Sequence, residues 1–481
     1  QAPPPNALAA LGMRRPSALF ALVAVFTWCF AFVVWTETAE TQVNATSHRF
    51  LGFPPRHLHG FVSVSRWPAL GASVMSQGVE WLPAGKQYIF EDLVFWHGKA
   101  KGQRLEEVAS RIDTVVSGPH ASAAFPEEIR PFVSEALTRR KQGDYSDIIT
   151  GPIGRAWAEL DPKVVFVENP HSRAVLDPNR APEENPEASL REFFRRLRLQ
   201  RAGTPGVSYK GIDAVRPITF GGEDVLVEPP DGESGERSWP AFVGALRSAA
   251  RLGTMPYIAA LERTIDIVVA AMPPGAPPLS VICLHDTNNF KMRPDGAITV
   301  ERDEPDRMPS LVNFGNLGDF TGEAIGEESS ISGFQMRRIA AAWAKAFGVE
   351  GQDFMRPAPH AYMEPVSFNR PYPGGYEMRK VLEKLRSQGL ADSIVFQVEF
   401  DRAALHGPVA ARVFQNPGDD WPPIDPEHVL SVAKKLTTAG AMLREEAKRE
   451  APSSMLAARL RSSSGEEGTP EPKPKLTKTG T

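Results

Sequence analysis

Cysteine is nearly absent, with Cys29 and Cys283 the only two among 481 residues. That excludes a disulfide scaffold and a four-cysteine zinc ribbon. Each cysteine lies in an apolar run, which argues against a bond between them. An excess of one charge is missing too. Lys plus Arg number 54 and Asp plus Glu 58, a formal net charge of −4. A protein built mainly to grip nucleic acid would carry a basic surplus. No GxGxxG follows a strand, and GxxxxGK[ST], GxSxG and HExxH do not occur. Their absence removes the most familiar nucleotide-binding, serine-hydrolase and metalloprotease readings. What is present suits a globular protein. Hydrophobic residues make up 42% and charged residues 23%, too apolar a mix for wholesale disorder. The 44 Pro and 39 Gly indicate many loops. The length allows two or three domains, or one large domain with appendages.

The N-terminus carries one long hydrophobic run. Residues 17–35 contain no charge, with Arg14 and Arg15 before them and Glu37 after. At about 1.5 Å per residue the run just spans the hydrocarbon core of a bilayer. The flanking charges leave residues 1–16 cytosolic and send the rest of the chain outside or into a lumen. A retained single-pass anchor and a cleaved secretory signal both fit this pattern, and either exports the body of the protein. Asn44 then stands in an acceptor triplet for glycosylation. Residues 36–105 carry no assignable role, and His57 and His59 read as solvated loop histidines rather than as metal ligands.

A clearer rhythm begins near Arg104. Helical spacing is expected over 104–112, 240–252, 257–271, 333–347 and 427–449. Short buried strands are expected at 114–116, 164–167, 279–284 and 393–398. Such alternation predicts an α/β fold of three layers, a mostly parallel or mixed sheet between helices. A single catalytic domain over 106–450 is expected, followed by a disordered tail, 451–481. The stretch 203–240, rich in Gly, Pro and acids, reads as an insertion.

In such sheets chemistry gathers beyond the strand ends. Here the strands run into His120, Arg173, His285 and Glu399. Two strand-end histidines suit zinc, since neutral imidazole is a favoured ligand. A catalytic zinc needs a third ligand, for which Asp147 and Glu127 or Glu128 are the candidates. Glu399 suits a general base beside the metal. In SRAVLDPNR, Arg173 and Arg180 could fork onto a carboxylate. The structural alternative is an ion pair between Asp177 and Arg180 that stiffens the loop. FNRPYPGGY, residues 368–376, is a turn that could bring Asn369 and backbone amides to a ligand.

Read in order, GPHASAAFPEE, SRAVLDPNR, CLHD, GNLGD, FNRPYPGGY and FQVEFDR resemble the N-formylglutamate amidohydrolase family over roughly residues 113–402. The resemblance implies a fold similar to that of zinc carboxypeptidases and zinc-assisted hydrolysis of an N-formyl amide. It implies that His120 and His285 bind zinc and that Glu399 is the catalytic carboxylate. Arg173, Asn179 and Arg180 would contact substrate, with Asn369, Tyr372, Gly374 and Gly375 in the turn, and Gln397 and Arg402 flanking the catalytic strand. Ser122 and Asp286 depart from the family pattern, which has glycine and serine there. The expectation is therefore an exported, membrane-anchored zinc amidohydrolase for a small carboxylate-bearing amide. The rival readings are an inactive domain of the same fold that binds a ligand or partner, and a peptidase, which would need a more open cleft.

Overall fold

The computed structural model describes residues 78–326 and 329–463. Residues 1–16, the apolar run 17–35, Asn44, His57 and His59 lie outside the described residues, as does the end of the tail from 464. Among the described residues no helix is long and apolar enough to cross a membrane.

The centre is a seven-stranded sheet. Its strands are β1 (Val94–Trp96), β2 (Thr114–Gly118), β3 (Val164–Glu168), β4 (Ser280–Thr287), β5 (Val312–Gly315), β6 (Val366–Phe368) and β7 (Ile394–Asp401). They lie in the order β6-β5-β7-β4-β2-β3-β1. The middle four, β7, β4, β2 and β3, are parallel. β1 joins β3 antiparallel, and β5 joins β7 antiparallel while running parallel to β6, so the sheet is mixed. The edge strand β1 comes from within the segment 36–105 to which the sequence assigned no role. β1, β5 and β6 are only three or four residues long, too short to show a period.

The helices of the layers are α1 (Thr150–Leu160), α2 (Pro186–Arg201), α3 (Trp239–Leu252), α4 (Thr254–Ala271), α5 (Gly333–Ala346), α6 (Tyr376–Ser387), α7 (Arg402–Phe414) and α8 (Pro426–Ser463). Successive strand residues point to opposite faces. Ile282 and Leu284 of β4 and Phe396, Val398 and Phe400 of β7 therefore pack under α1, α5 and α8. Val281 and Cys283 of β4 and Val395 of β7 pack under α4 and α6. These are the three layers expected, with apolar strands covered on both faces. The aromatic side chains carry much of the first core, where Trp343 meets Trp157 and Phe314 edge-on with ring centroids 6.0 and 5.5 Å apart. Each fully buried side chain of this size contributes about 1.5–3 kcal/mol.

Local chemistry explains the helix starts. Ser238 caps α3 through Ala241 N, and Pro240 sits in its first turn, where no N–H is missed. Ser332 and Gln335 form a capping box on α5. Expected helix 104–112 is a single turn, Leu105–Val108, followed by a 3₁₀ turn. The last helix runs on to Ser463, past the expected 449 and into the segment read as a disordered tail. The insertion at 203–240 forms no helix or sheet strand before Trp239. It still buries Tyr209, Val215, Ile218 and Leu226 against α2 and α3 in a third core.

Candidate functional site

The C-terminal ends of β7, β4, β2 and β3 open on one side of the sheet, the position where open α/β sheets place ligands. Pairing between β7 and β4 sets Glu399 opposite His285. By strand alternation His285 continues the face of Val281 and Cys283, and Glu399 that of Val395 and Gln397. β2 ends at Gly118, and the turn that follows delivers His120. The loop after β3 is tied to that turn, since Asn169 Nδ2 donates to Pro119 O at 2.7 Å.

Three donor atoms meet there. His120 Nδ1 and His285 Nδ1 are 3.1 Å apart, and each faces Asp147 Oδ2, at 3.2 and 3.0 Å. All three residues are buried, and they form a group able to hold a metal ion. Ligands at about 2.0–2.2 Å from a tetrahedral ion stand about 3.4 Å from one another, close to this spacing. Two ring nitrogens facing each other across one carboxylate oxygen leave room for one shared cation, where a proton could serve only one of them. The orientation of His120 agrees. Its Nε2 lies 2.7 Å from Asp177 Oδ1, so Nε2–H donates to that carboxylate and the Nδ1 lone pair is left for a ligand role. The residues present fit a metal.

Glu127 and Glu128 are elsewhere, which removes them as candidate third ligands. Glu127 pairs with Arg130 on the surface, and Glu128 accepts from Gly85 N. The structural alternative, an Asp177–Arg180 pair, does not form. Asp177 binds Arg173 through Nε at 3.1 Å as well as Nη2, and Arg180 instead donates from Nε to Asp213 at 3.1 Å.

A pocket of about 260 Å³ lies over the cluster. Of the residues assigned to it from the sequence, Asn179, Arg180, Tyr372, Gly374, Gly375, Gln397 and Glu399 line it beside the three candidate ligands. Arg173 and Arg402 also reach the wall but their guanidinium groups are taken. Arg402 donates to Asp286, to Asp144 and to Ser146 O, so it clamps the floor rather than offering a free fork to substrate. Asp286 is the partner in that clamp. Asn369 does not reach the pocket. At φ 52° it turns inward, donating to Asn316 Oδ1 at 2.7 Å and Asp319 O at 2.6 Å, and so holds the 368–376 turn to the loop after β5. The paired glycines of that turn have a steric cause: Gly374 adopts φ 129°, and a Cβ at Gly375 would collide with the Asn179 amide.

Electrostatics separates the carboxylates. Burial pushes Glu399 up to about 7; His285 opposes the shift and the charge of Asp147 adds to it. Its Oε2 accepts from Thr287 Oγ1 at 3.0 Å and its Oε1 from Gln397 Nε2 at 2.9 Å. Burial also raises Asp147, but His120 and His285 outweigh it and hold the group well below the usual carboxylate range. One acid thus stays ionised among the candidate ligands while its neighbour is poised to exchange a proton near neutrality, the separation expected of assigned acid–base roles.

A model of the N-formylglutamate amidohydrolases matches residues 112–404. The chain belongs to that family. Among solved structures, an N-formylglutamate amidohydrolase from Ralstonia eutropha JMP134 shares 13% identity at a TM-score of 0.40, covering 70% of this chain and 94% of its own. A gene product from Agrobacterium tumefaciens shares 16% at a TM-score of 0.37, over 70% and 93%. No curated protein matches. For this N-formylglutamate amidohydrolase-family chain the sequence reading missed the double role of Asp177 and the presence of Arg302 in the pocket wall. The first had a signal in the Arg-x₃-Asp spacing; the second had none, standing in the acid-rich string ERDEPDR.

Asp177→Asn is expected to weaken metal binding by ~10–100-fold, the usual effect of losing the carboxylate that orients a ligand histidine. Competition with a chelator measures it. Arg173 also loses its buried partner, so the melting temperature falls; unchanged metal affinity in the folded variant would leave Asp177 with that structural duty alone.

Proposed function

We propose that the chain is a zinc-dependent amidohydrolase cleaving the N-acyl, formyl-type amide of a small carboxylate-bearing amino acid. One observation carries the reading: the buried cluster of His120, Asp147 and His285 stands beside Glu399 on the neighbouring strand, whose pKa is raised to about 7. Two imidazoles and a carboxylate form a donor set suited to zinc, and family membership supports hydrolysis of a non-peptide C–N bond. Zinc held there would polarise the scissile carbonyl and ease deprotonation of the attacking water.

The remaining work belongs to the chain. Glu399 takes the proton of the attacking water on a carboxylate oxygen and delivers it to the leaving nitrogen, so that the amine departs neutral. Thr287 and Gln397 fix its two oxygens. Asp177 keeps His120 in the tautomer that leaves Nδ1 free. The 368–376 turn walls the pocket with Tyr372, and its volume of about 260 Å³ suits a small ligand. The apolar run at 17–35 supports export, with the catalytic domain outside or in a lumen, either anchored or released after cleavage.

Metal analysis of the purified chain, followed by assay on a panel of N-formyl and N-acetyl amino acids, tests the reading. About one zinc per chain is expected, with hydrolysis lost to a chelator and restored by zinc. A protein that holds stoichiometric zinc and cleaves no member of the panel would overturn the enzymatic reading.

A further inference from the structure

Four arginines line the pocket: Arg173, Arg180, Arg302 and Arg402. Three are neutralised by the protein itself, Arg173 by Asp177, Arg180 by Asp213, and Arg402 by Asp286 and Asp144. Arg302 is different. Among the described residues no carboxylate stands within ion-pair distance of it, the charge of Asp144 reaching it only from further off, although four acids surround it in the sequence. Glu301 pairs with Arg307, Asp303 with Lys291 and Glu304 with His360. The Nε of Arg302 is buried without any hydrogen bond. One Nη reaches only the Tyr372 hydroxyl, at 3.4 Å. A guanidinium whose buried Nε has no partner, on the wall of a ligand pocket, is open to an anion.

The same wall lacks a donor. Gln397 Nε2 is spent on Glu399, and its Oε1 is buried without a partner. An N-acyl amino acid supplies both missing groups, an amide N–H for the acceptor and a carboxylate for the guanidinium. Tyr372 links the two regions, lying close enough to both Arg302 and Glu399 for each to act on its hydroxyl.

We propose that Arg302, steadied by the Tyr372 hydroxyl, is the seat of the substrate carboxylate, and that it makes the site selective for N-acyl amino acids over their neutral amides. This rests on the hydrolytic reading for its substrate class and on the unpaired guanidinium for its location. It moves the carboxylate seat away from the Arg173–Arg180 loop.

The test uses the zinc-loaded full chain, wild type and Arg302→Gln, with N-formylglutamate and its two monoamides as substrates. Arg302→Gln should lower kcat/KM for N-formylglutamate by roughly ten- to hundredfold, the loss expected for a charge-assisted contact, and chiefly through KM. The monoamide lacking the seated carboxylate should be poor with wild type and unchanged by the substitution. The melting temperature should stay put, because the side chain forms no ion pair within the protein and its one hydrogen bond, to the Tyr372 hydroxyl, is long at 3.4 Å. Binding of glutarate against glutaramide gives a second readout independent of turnover. Arg302→Gln should weaken glutarate alone. Should wild type cleave none of the substrates, the hydrolytic reading fails and the glutarate comparison still decides the seat. Equal losses on charged and amidated substrates, or unchanged glutarate binding, would overturn the role of Arg302.

Discussion

His285→Ala is expected to leave a folded protein that no longer retains metal. The residue lies within β4, whose main-chain bonds to β2 and β7 persist without the ring, so the sheet survives while two donors remain of three. The loss should exceed the ~10–100-fold that follows from disturbing a ligand's orientation, and metal content after gel filtration should drop from about one equivalent to near zero. His120→Ala should behave alike. In the metal-free protein burial and Arg173 act to lower the pKa of His120, but Asp177 and Asp147 prevail and raise it. A proton held there competes with the metal, so affinity should fall as the solution is acidified. Stoichiometric metal surviving both substitutions would put the ion elsewhere.

Glu399→Gln should do the opposite, keeping the metal and losing the reaction. The amide preserves shape and can still meet Thr287, but it cannot take a proton. A fall of at least ~10²-fold in kcat is expected, in line with general-base contributions. The pH profile carries the sign. Burial first, then the charge of Asp147, raises Glu399 to about 7 against the pull of His285. A base works ionised, so activity should climb as pH rises through this value, and a bound cation would shift the climb to lower pH. The residual activity of the Gln variant should lack that limb. Wild-type turnover in Glu399→Gln would leave Glu399 without a catalytic role.

The central sheet was legible because β2, β3, β4 and β7 are short apolar runs, each ending in a polar residue with chemistry to offer. His120, His285 and Glu399 were visible for the same reason. Asp147 was harder, since it lies in a loop before α1 and offers the same group as Glu127 and Glu128, which stand nearer His120 in sequence; only the folded chain brings Asp147 to the histidines. The arginines show the limit most plainly. Arg173, Arg180 and Arg402 have the same side chain as Arg302, and nothing local tells a guanidinium already occupied from one left open. That distinction depends on Asp177, Asp213 and Asp286, which lie 4, 33 and 116 positions away along the chain from the arginines they hold. Asn369 looked ligand-facing within a glycine-rich turn, but its left-handed backbone points the amide at Asn316 instead.

The facing of Glu399 and His285 across two parallel strands has a consequence for how the site can change. Their spacing is set by the main-chain ladder from Ile394–Ser280 to Asp401–Thr287, which no side chain that meets a ligand helps to build. A slip of one residue would turn the acid to the opposite face of the sheet, so the pair is kept as a unit or lost as one. The groups that would meet a substrate hang on separate segments, the loop after β3, the 368–376 turn and the hairpin Phe290–Met292 with Ile298–Glu301 that ends at Arg302. Each can be lengthened, shortened or recharged while the strands hold still. Selectivity is thus open to retuning at its margins, independently of the chemistry at its centre.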